Sequence, residues 1–186
     1  MSLARTASQT IGPFYNFALL GGADNDLTRR SKGGPQAAGE VVEIKGRVID
    51  GDGAACACAL VEVWQADAEG RYGADRDPNF AGFGRTLTDN DGYYTFTTVL
   101  PGPVPGKGNS WQAPHMSMSL HSGGLLKQVN TRLYFPNDDA NADDPVLSGI
   151  EDDGQRSTLV ARAAGEGRYE FDVILQGEGE TVFFQL

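Results

Sequence analysis

Between residues 44 and 102 apolar and polar side chains alternate in short runs separated by Gly/Asp turns. IKGRVID (44–50) enters the turn DGDG (50–53), LVEVWQA (60–66) leads to EGRYG (69–73), and GRTLTDNDGYYTFTTVLPG (84–102) holds two extended runs about a turn at 89–92. In 60–66, Val61, Val63 and Gln65 alternate with Leu60, Glu62, Trp64 and Ala66, so the two sides of a pleated strand meet different surroundings. The aromatic and β-branched run 93–99 favours strand over helix, and Asp/Gly pairs supply the turns. Further on, HMSMSLHSGG (115–124) places His115, Ser117, Ser119 and His121 on one side and Met116, Met118 and Leu120 on the other. VNTRLYFP (129–136), RYEFDVILQG (168–177) and TVFFQL (181–186) read as strands, and a short helix is expected at 145–150, where proline suits the first turn. About eight to nine strands and no solenoid repeat predict an all-β fold, a two-layer antiparallel β-sandwich with short helical turns.

The rest of the chain refines this picture. SQTIGPFYNFALLGG (8–22) is too apolar for a solvated tail, while Gly12-Pro13 and Gly21-Gly22 prevent a long regular element. It reads as an extended arm that packs along its own domain or crosses to a partner, followed by an exposed loop at 22–40. The expected organisation is therefore an N-terminal arm and loop over 1–40 and one β-sandwich domain over 41–186. Loop aromatics Tyr72, Phe80 and Phe83 are expected to anchor the 70–84 connection. Cys56 and Cys58 are read as small apolar residues entering a strand.

Composition narrows the function. A net charge of −10, from 25 acidic and 15 basic residues, argues against nucleic acid as a partner. No apolar run approaches the ~20 residues that cross a bilayer, no secretory signal is evident, and the cytoplasm is the default location. The acidic stretch 138–153 reads as a solvated surface.

The ordered set SQTIGPF, GRVIDGDGAACACALVEVWQADAEGRYG, DPNFAGFGRTLTDNDGYYTF, PGPVPGKG, WQAPHMSMSL, NTRLYF and QGEGETVFF resembles the intradiol ring-cleavage dioxygenases from residue 8 to 184. The resemblance implies a β-sandwich and cleavage of a catechol between its hydroxyl-bearing carbons by O2 and ferric iron. In catalytic members two tyrosines and two histidines hold Fe3+. Tyr72 and His115 stand at the first tyrosine and first histidine positions, whereas Val104 and Ser117 replace the second of each, and Gln112 replaces an arginine. Valine cannot ligate, and a neutral hydroxyl is a poor substitute for imidazole at a hard cation. His121 cannot rescue the set, because six residues of strand separate it from His115 by about 20 Å. No metal ligand and no catalytic residue is therefore assigned to this chain.

The same departures mark the α subunits of heteromeric members, which pair with an iron-bearing β subunit in (αβ)n assemblies. The resemblance implies that Fe3+ belongs to that partner, and that Thr10, Gly12, Pro13 and Phe14 of the arm line a pocket for a small aromatic substrate. It also implies that Arg132 pairs with the substrate carboxylate, for which guanidinium geometry is suited; the alternative for Arg132 is a structural ion pair with Asp138 or Asp139. The competing functional readings are a transthyretin-like binding module and a divergent stand-alone catechol dioxygenase.

Overall fold

The alternation at the start of the meander becomes β1 (Val41–Ile49), in which Val42, Ile44, Gly46 and Val48 face inward. In this computed structural model, which describes residues 5–12, 14–21, 24–136 and 138–185, the chain forms the expected two-layer all-β sandwich. The next strands are β2 (Leu60–Gln65), β3 (Phe83–Leu87) and β4 (Tyr93–Val99). They are followed by β5 (Val104–Pro105), β6 (Trp111–Gln112), β7 (His115–His121) and β8 (Val129–Tyr134). Three short strands close the series: β9 (Arg162–Gly165), β10 (Arg168–Glu170) and β11 (Val173–Ile174).

One layer is antiparallel throughout, in the order β3-β2-β7-β8. The other departs from the expected antiparallel pairing and is mixed: β1 pairs antiparallel with β4 along one edge but parallel with β10 and β11 along the other, because the C-terminal segment runs beside β1 in the same direction. The core lies between them, with Val61, Val63, Met116, Met118 and Leu133 from the first layer against Val42, Ile44, Val48, Tyr94 and Phe96 from the second. Buried Gln65 ties the layers, because its Nε2 donates to the Val99 carbonyl and its Oε1 accepts from the Thr98 hydroxyl.

Several local expectations differ from the structure. The 22–40 loop is not simply exposed: Leu27, Thr28 and Ala37 are buried, and the Leu27 amide donates to the Thr97 carbonyl, so this segment plugs the edge of the core. Residues 145–150 form turns rather than a helix, because the Asp144 carboxylate takes the Val146 and Leu147 amides. The helix comes later, as α2 (Asp153–Ser157), with the Asp152 side chain accepting from the Gln155 amide at its start. At 181–186 the described residues form one bridge, Asn130 to Phe184, instead of a strand. The strand count exceeds the expected eight to nine because the two-residue strands β5 and β6 are too short to carry a periodic signal, and because the single strand expected at 168–177 is split into β10 and β11. Cys58 adopts φ 56 in a turn, so the two free cysteines do not lie along an extended strand.

Gly46 marks the tightest backbone approach in the mixed sheet. A Cβ there would collide with the Phe171 carbonyl oxygen, which accepts from the buried Tyr94 hydroxyl, and with that hydroxyl itself. Gly46→Ala is expected to cost about 1–3 kcal/mol through overpacking, lowering the melting temperature by roughly 2–12 °C in a chain of this size. A thermal melt of the variant with unchanged Tm would show that the sheet yields at this point.

Candidate functional site

The outward side of β7 carries His115, Ser117, Ser119 and His121, and the sheet register sets their neighbours. Phe83, Trp64, Ser117 and Arg132 stand in one cross-strand row over β3, β2, β7 and β8. His115 lies opposite Tyr134 in the adjoining row, with ring centroids 5.6 Å apart. Beside this face, β5 and β6 pair Val104 with Gln112.

Arg132 joins these rows. Its Nη1 donates to Gln112 Oε1 at 2.7 Å and to the Tyr134 hydroxyl at 3.2 Å. The Tyr134 hydroxyl in turn donates to Asp144 Oδ1 at 3.1 Å. Asp144 is fully buried and also accepts from the backbone amides of Ala113, Val146 and Leu147. Among the described residues Arg132 forms no salt bridge with Asp138 or Asp139; its link to an acid runs through Tyr134.

Tyr72 reaches the site from the loop after β2. Asp67 shapes that loop by accepting from the Glu69, Arg71 and Asp77 amides and from Arg71 Nε. Burial opposes the Asp67 charge, yet these donors outweigh it and hold the carboxyl below its ordinary range. The Tyr72 ring stacks on Trp64 with centroids 6.0 Å apart and planes 4° from parallel. Burial pushes the Tyr72 phenol upward, against the opposing pull of the Arg132 charge and a backbone hydrogen bond with Ala66, so it stays protonated at neutral pH. The other two loop aromatics divide: Phe80 is in the core, whereas Phe83 belongs to β3 and faces outward.

His115 is buried, and its Nδ1 lies 2.7 Å from the Ala113 carbonyl. A carbonyl only accepts, so Nδ1 carries the proton and the lone pair sits on Nε2. Burial lowers the His115 pKa; the Ala113 contact opposes that shift, Arg132 adds to it and Asp144 opposes it. His121 stands at the far end of β7, its Nε2 3.6 Å from Glu62. Val104 is buried and Ser117 half-buried opposite Arg132.

Ferric iron does not fit this set. It would find one phenol, one imidazole nitrogen, one alcohol and a hydrocarbon, with a fixed guanidinium among them. Among the described residues no group of three or more His, Cys, Asp or Glu is arranged to hold a metal ion.

Of the arm residues, Thr10 stands apart from this cluster. Thr10 Oγ1 accepts from the Gly124 amide at 2.8 Å, at the turn of the β7–β8 hairpin. Arg132 pairs with Ser117, three steps inside the hairpin end at Leu120–Val129, about 10 Å along the strands. Beyond Gly12 the chain enters α1 (Tyr15–Leu19), where the Tyr15 hydroxyl donates to the Cys58 carbonyl at 2.6 Å. Phe14 is 75% exposed. An added Cβ on Gly12 would meet nothing within 4 Å. Pro13 lies outside the described residues. Two open hollows of about 640 and 750 Å³ lie elsewhere, lined in part by Arg29, Lys32 and Arg85 and by Gln155, Glu180 and Phe183.

Sequence reading missed Asp144 and Tyr134, placing the former in a solvated acidic stretch. The available signal was Asp144-Pro145, since an aspartate that takes the amides two and three residues on is a turn former that can be buried at no cost in hydrogen bonds.

The Dioxygenase family model, Dioxygenase_C, matches residues 11–177. The chain is 41% identical to the protocatechuate 3,4-dioxygenase alpha chain of Pseudomonas putida, over 98% of this chain and 96% of that one. It is 37% identical to the protocatechuate 3,4-dioxygenase beta chain of Burkholderia cepacia, over 91% of this chain and 78% of that one. Among solved structures it resembles the dioxygenase domain of a dioxygenase carbohydrate-binding protein fusion from Streptomyces sp. SirexAA-E, with TM-score 0.61 and 26% identity over 85% of this chain and 88% of that one.

A lowered His115 pKa sets the sign of a pH effect. Between the depressed folded value and the ordinary value near 6.5, the unfolded chain binds more protons, so stability falls as pH drops through that window. Denaturant titrations from pH 7 to 5 should show the parent losing stability relative to His115→Gln. Parallel curves would remove the assigned effect.

Proposed function

The chain belongs to the intradiol ring-cleavage dioxygenase family, and from that premise we propose that it is the metal-free α subunit of a protocatechuate 3,4-dioxygenase. It works with the protocatechuate 3,4-dioxygenase β subunit, an iron-bearing chain of the same fold, in an (αβ)n oligomer. The assembled enzyme opens protocatechuate between its two hydroxyl-bearing carbons, both atoms of O2 entering 3-carboxy-cis,cis-muconate. Fe3+ and the ring-opening chemistry reside with the β subunit, while this chain binds and orients substrate.

The observation that carries this reading is the donor set. Alpha and beta relatives are similar to the chain at nearly the same identity, 41% and 37%, so overall likeness does not separate the two roles. The side chains at four positions do. Val104 is hydrocarbon, Ser117 is a hydroxyl facing a guanidinium, and Tyr72 and His115 alone leave a ferric ion two strong donors short. A stand-alone catechol dioxygenase would need the donors that are missing here.

Thr10, Gly12, Pro13 and Phe14 line the partner's substrate pocket. Open space around Gly12 supports this, because none of the described residues of its own chain requires so small a residue there. An apolar ring as exposed as Phe14 likewise suits a surface that another protomer covers. Arg132 pairs with the substrate carboxylate through Nε and Nη2, the edge left by the Nη1 bonds to Gln112 and Tyr134. The assembly works in the cytoplasm, a reducing compartment that agrees with the free Cys56 and Cys58. Among the described residues no helix is long and apolar enough to cross a membrane.

Purified alone after growth in iron-rich medium, the chain should carry no stoichiometric iron and lack tyrosinate-to-iron absorption. Co-expression with the β subunit should give a coloured complex that consumes O2 with protocatechuate. A coloured, active preparation of the single chain would refute the reading. In the complex, Arg132→Ala should raise KM for protocatechuate roughly ten- to a hundredfold, equivalent to about 1.5–3 kcal/mol for one charged hydrogen bond. The KM for catechol, which has no carboxylate, should move far less, and equal shifts would count against carboxylate pairing.

A further inference from the structure

The four positions at which an iron site would be expected converge on one cation. Ser117 is the cross-strand partner of Arg132, Val104 is the partner of Gln112, and His115 is the partner of Tyr134. Gln112 and Tyr134 are the two groups that hold Arg132 Nη1. Arg132 charge also acts on both remaining donor residues, Tyr72 and His115. Side chains directly opposite on one sheet face have Cβ atoms only about 4.5–5.5 Å apart, so any ligand at 117 would project beside the guanidinium.

We propose that Arg132, anchored by Gln112 and Tyr134, is a resident cation that keeps metal out of this chain's own half-site, so that restoring the two missing donors would not by itself restore iron. A guanidinium keeps its charge at all physiological pH values and has five donors and no acceptor, so it occupies the site electrostatically without ever serving as a ligand. It also suits the groups around it: the Gln112 amide oxygen and the Tyr134 hydroxyl accept from it. A multivalent cation entering the same space meets a fixed like charge in a partly desolvated setting, where repulsion is least screened. The physical result is allocation of metal. In an assembly of two similar subunits, iron cannot be captured by the subunit that lacks the means to use it. This concerns the chain's own residues and is measured without substrate, so it stands or falls separately from the proposed carboxylate role of Arg132.

The test uses the full chain co-purified with its partner. Val104→Tyr with Ser117→His is compared with the same pair carrying Arg132→Met, and iron gained over the parent complex is measured after aerobic loading with ferrous salt and desalting. Without Arg132 the gain should approach one iron per chain, at least tenfold above the double variant, with added tyrosinate-to-iron absorption. Equal gain in the two, or none in a triple variant whose melting curve shows it folded, overturns the proposal. A second comparison leaves buried Val104 untouched: Ser117→His against Ser117→His with Arg132→Gln, titrated with Zn2+ in competition with a chromophoric chelator. The charge-free variant should bind Zn2+ at least tenfold more tightly, and equal affinities overturn the proposal even if the tyrosine variants fail to fold.

Discussion

The two-residue period of β7 is the constraint on which both the core and the site depend. Met116, Met118 and Leu120 enter the interior only if His115, Ser117, Ser119 and His121 face outward, and a one-residue slip would exchange the two sets. Pairing with β2 and β8 on either side makes such a slip costly, since it would also dislodge Val61, Val63 and Leu133. The apolar side of the strand therefore fixes the chemistry of the polar side. Once the methionines are buried, Ser117 has to lie between Trp64 and Arg132.

Loops complete the site by the same logic of satisfied buried groups. Asp67 and Asp144 are acids with very little exposure, and each is surrounded by backbone amides that would otherwise be orphaned. Asp67 shapes the loop that carries Tyr72, and Asp144 supports the Tyr134 hydroxyl that holds Arg132. The charged centre of the outer face thus rests on a buried carboxylate two hydrogen bonds away. That arrangement orders the guanidinium without a direct ion pair to Asp138 or Asp139, the alternative considered for it.

Much of the fold was legible because alternation reports burial directly. The inward sets of β1, β2, β4 and β7 follow from the period of two, and the turns at 50–53 and 89–92 from Asp and Gly. Short-range signals failed where long-range contacts decide. Leu27 looks like a loop residue until its amide meets Thr97, and no pattern two residues long announces β5 or β6. The donor deficit at Val104 and Ser117 was read from the ligand positions that the family resemblance implies, set against the residue types found there. The partners of Arg132 were not, because Gln112, Tyr134 and Asp144 come from three segments that only the register and the turn at 145–150 bring together.

The exposed face also has an optical side. The chain has two tryptophans: Trp64 lies beside Ser117 at 45% exposure, and Trp111, which precedes Gln112 in β6, is 61% exposed. Neither indole sits in the interior that folding creates. Native emission should therefore be shifted toward the red and change little on denaturation, whereas a protomer settling over this face would move it toward the blue. The intrinsic fluorescence of this chain is a gauge of association more than of folding.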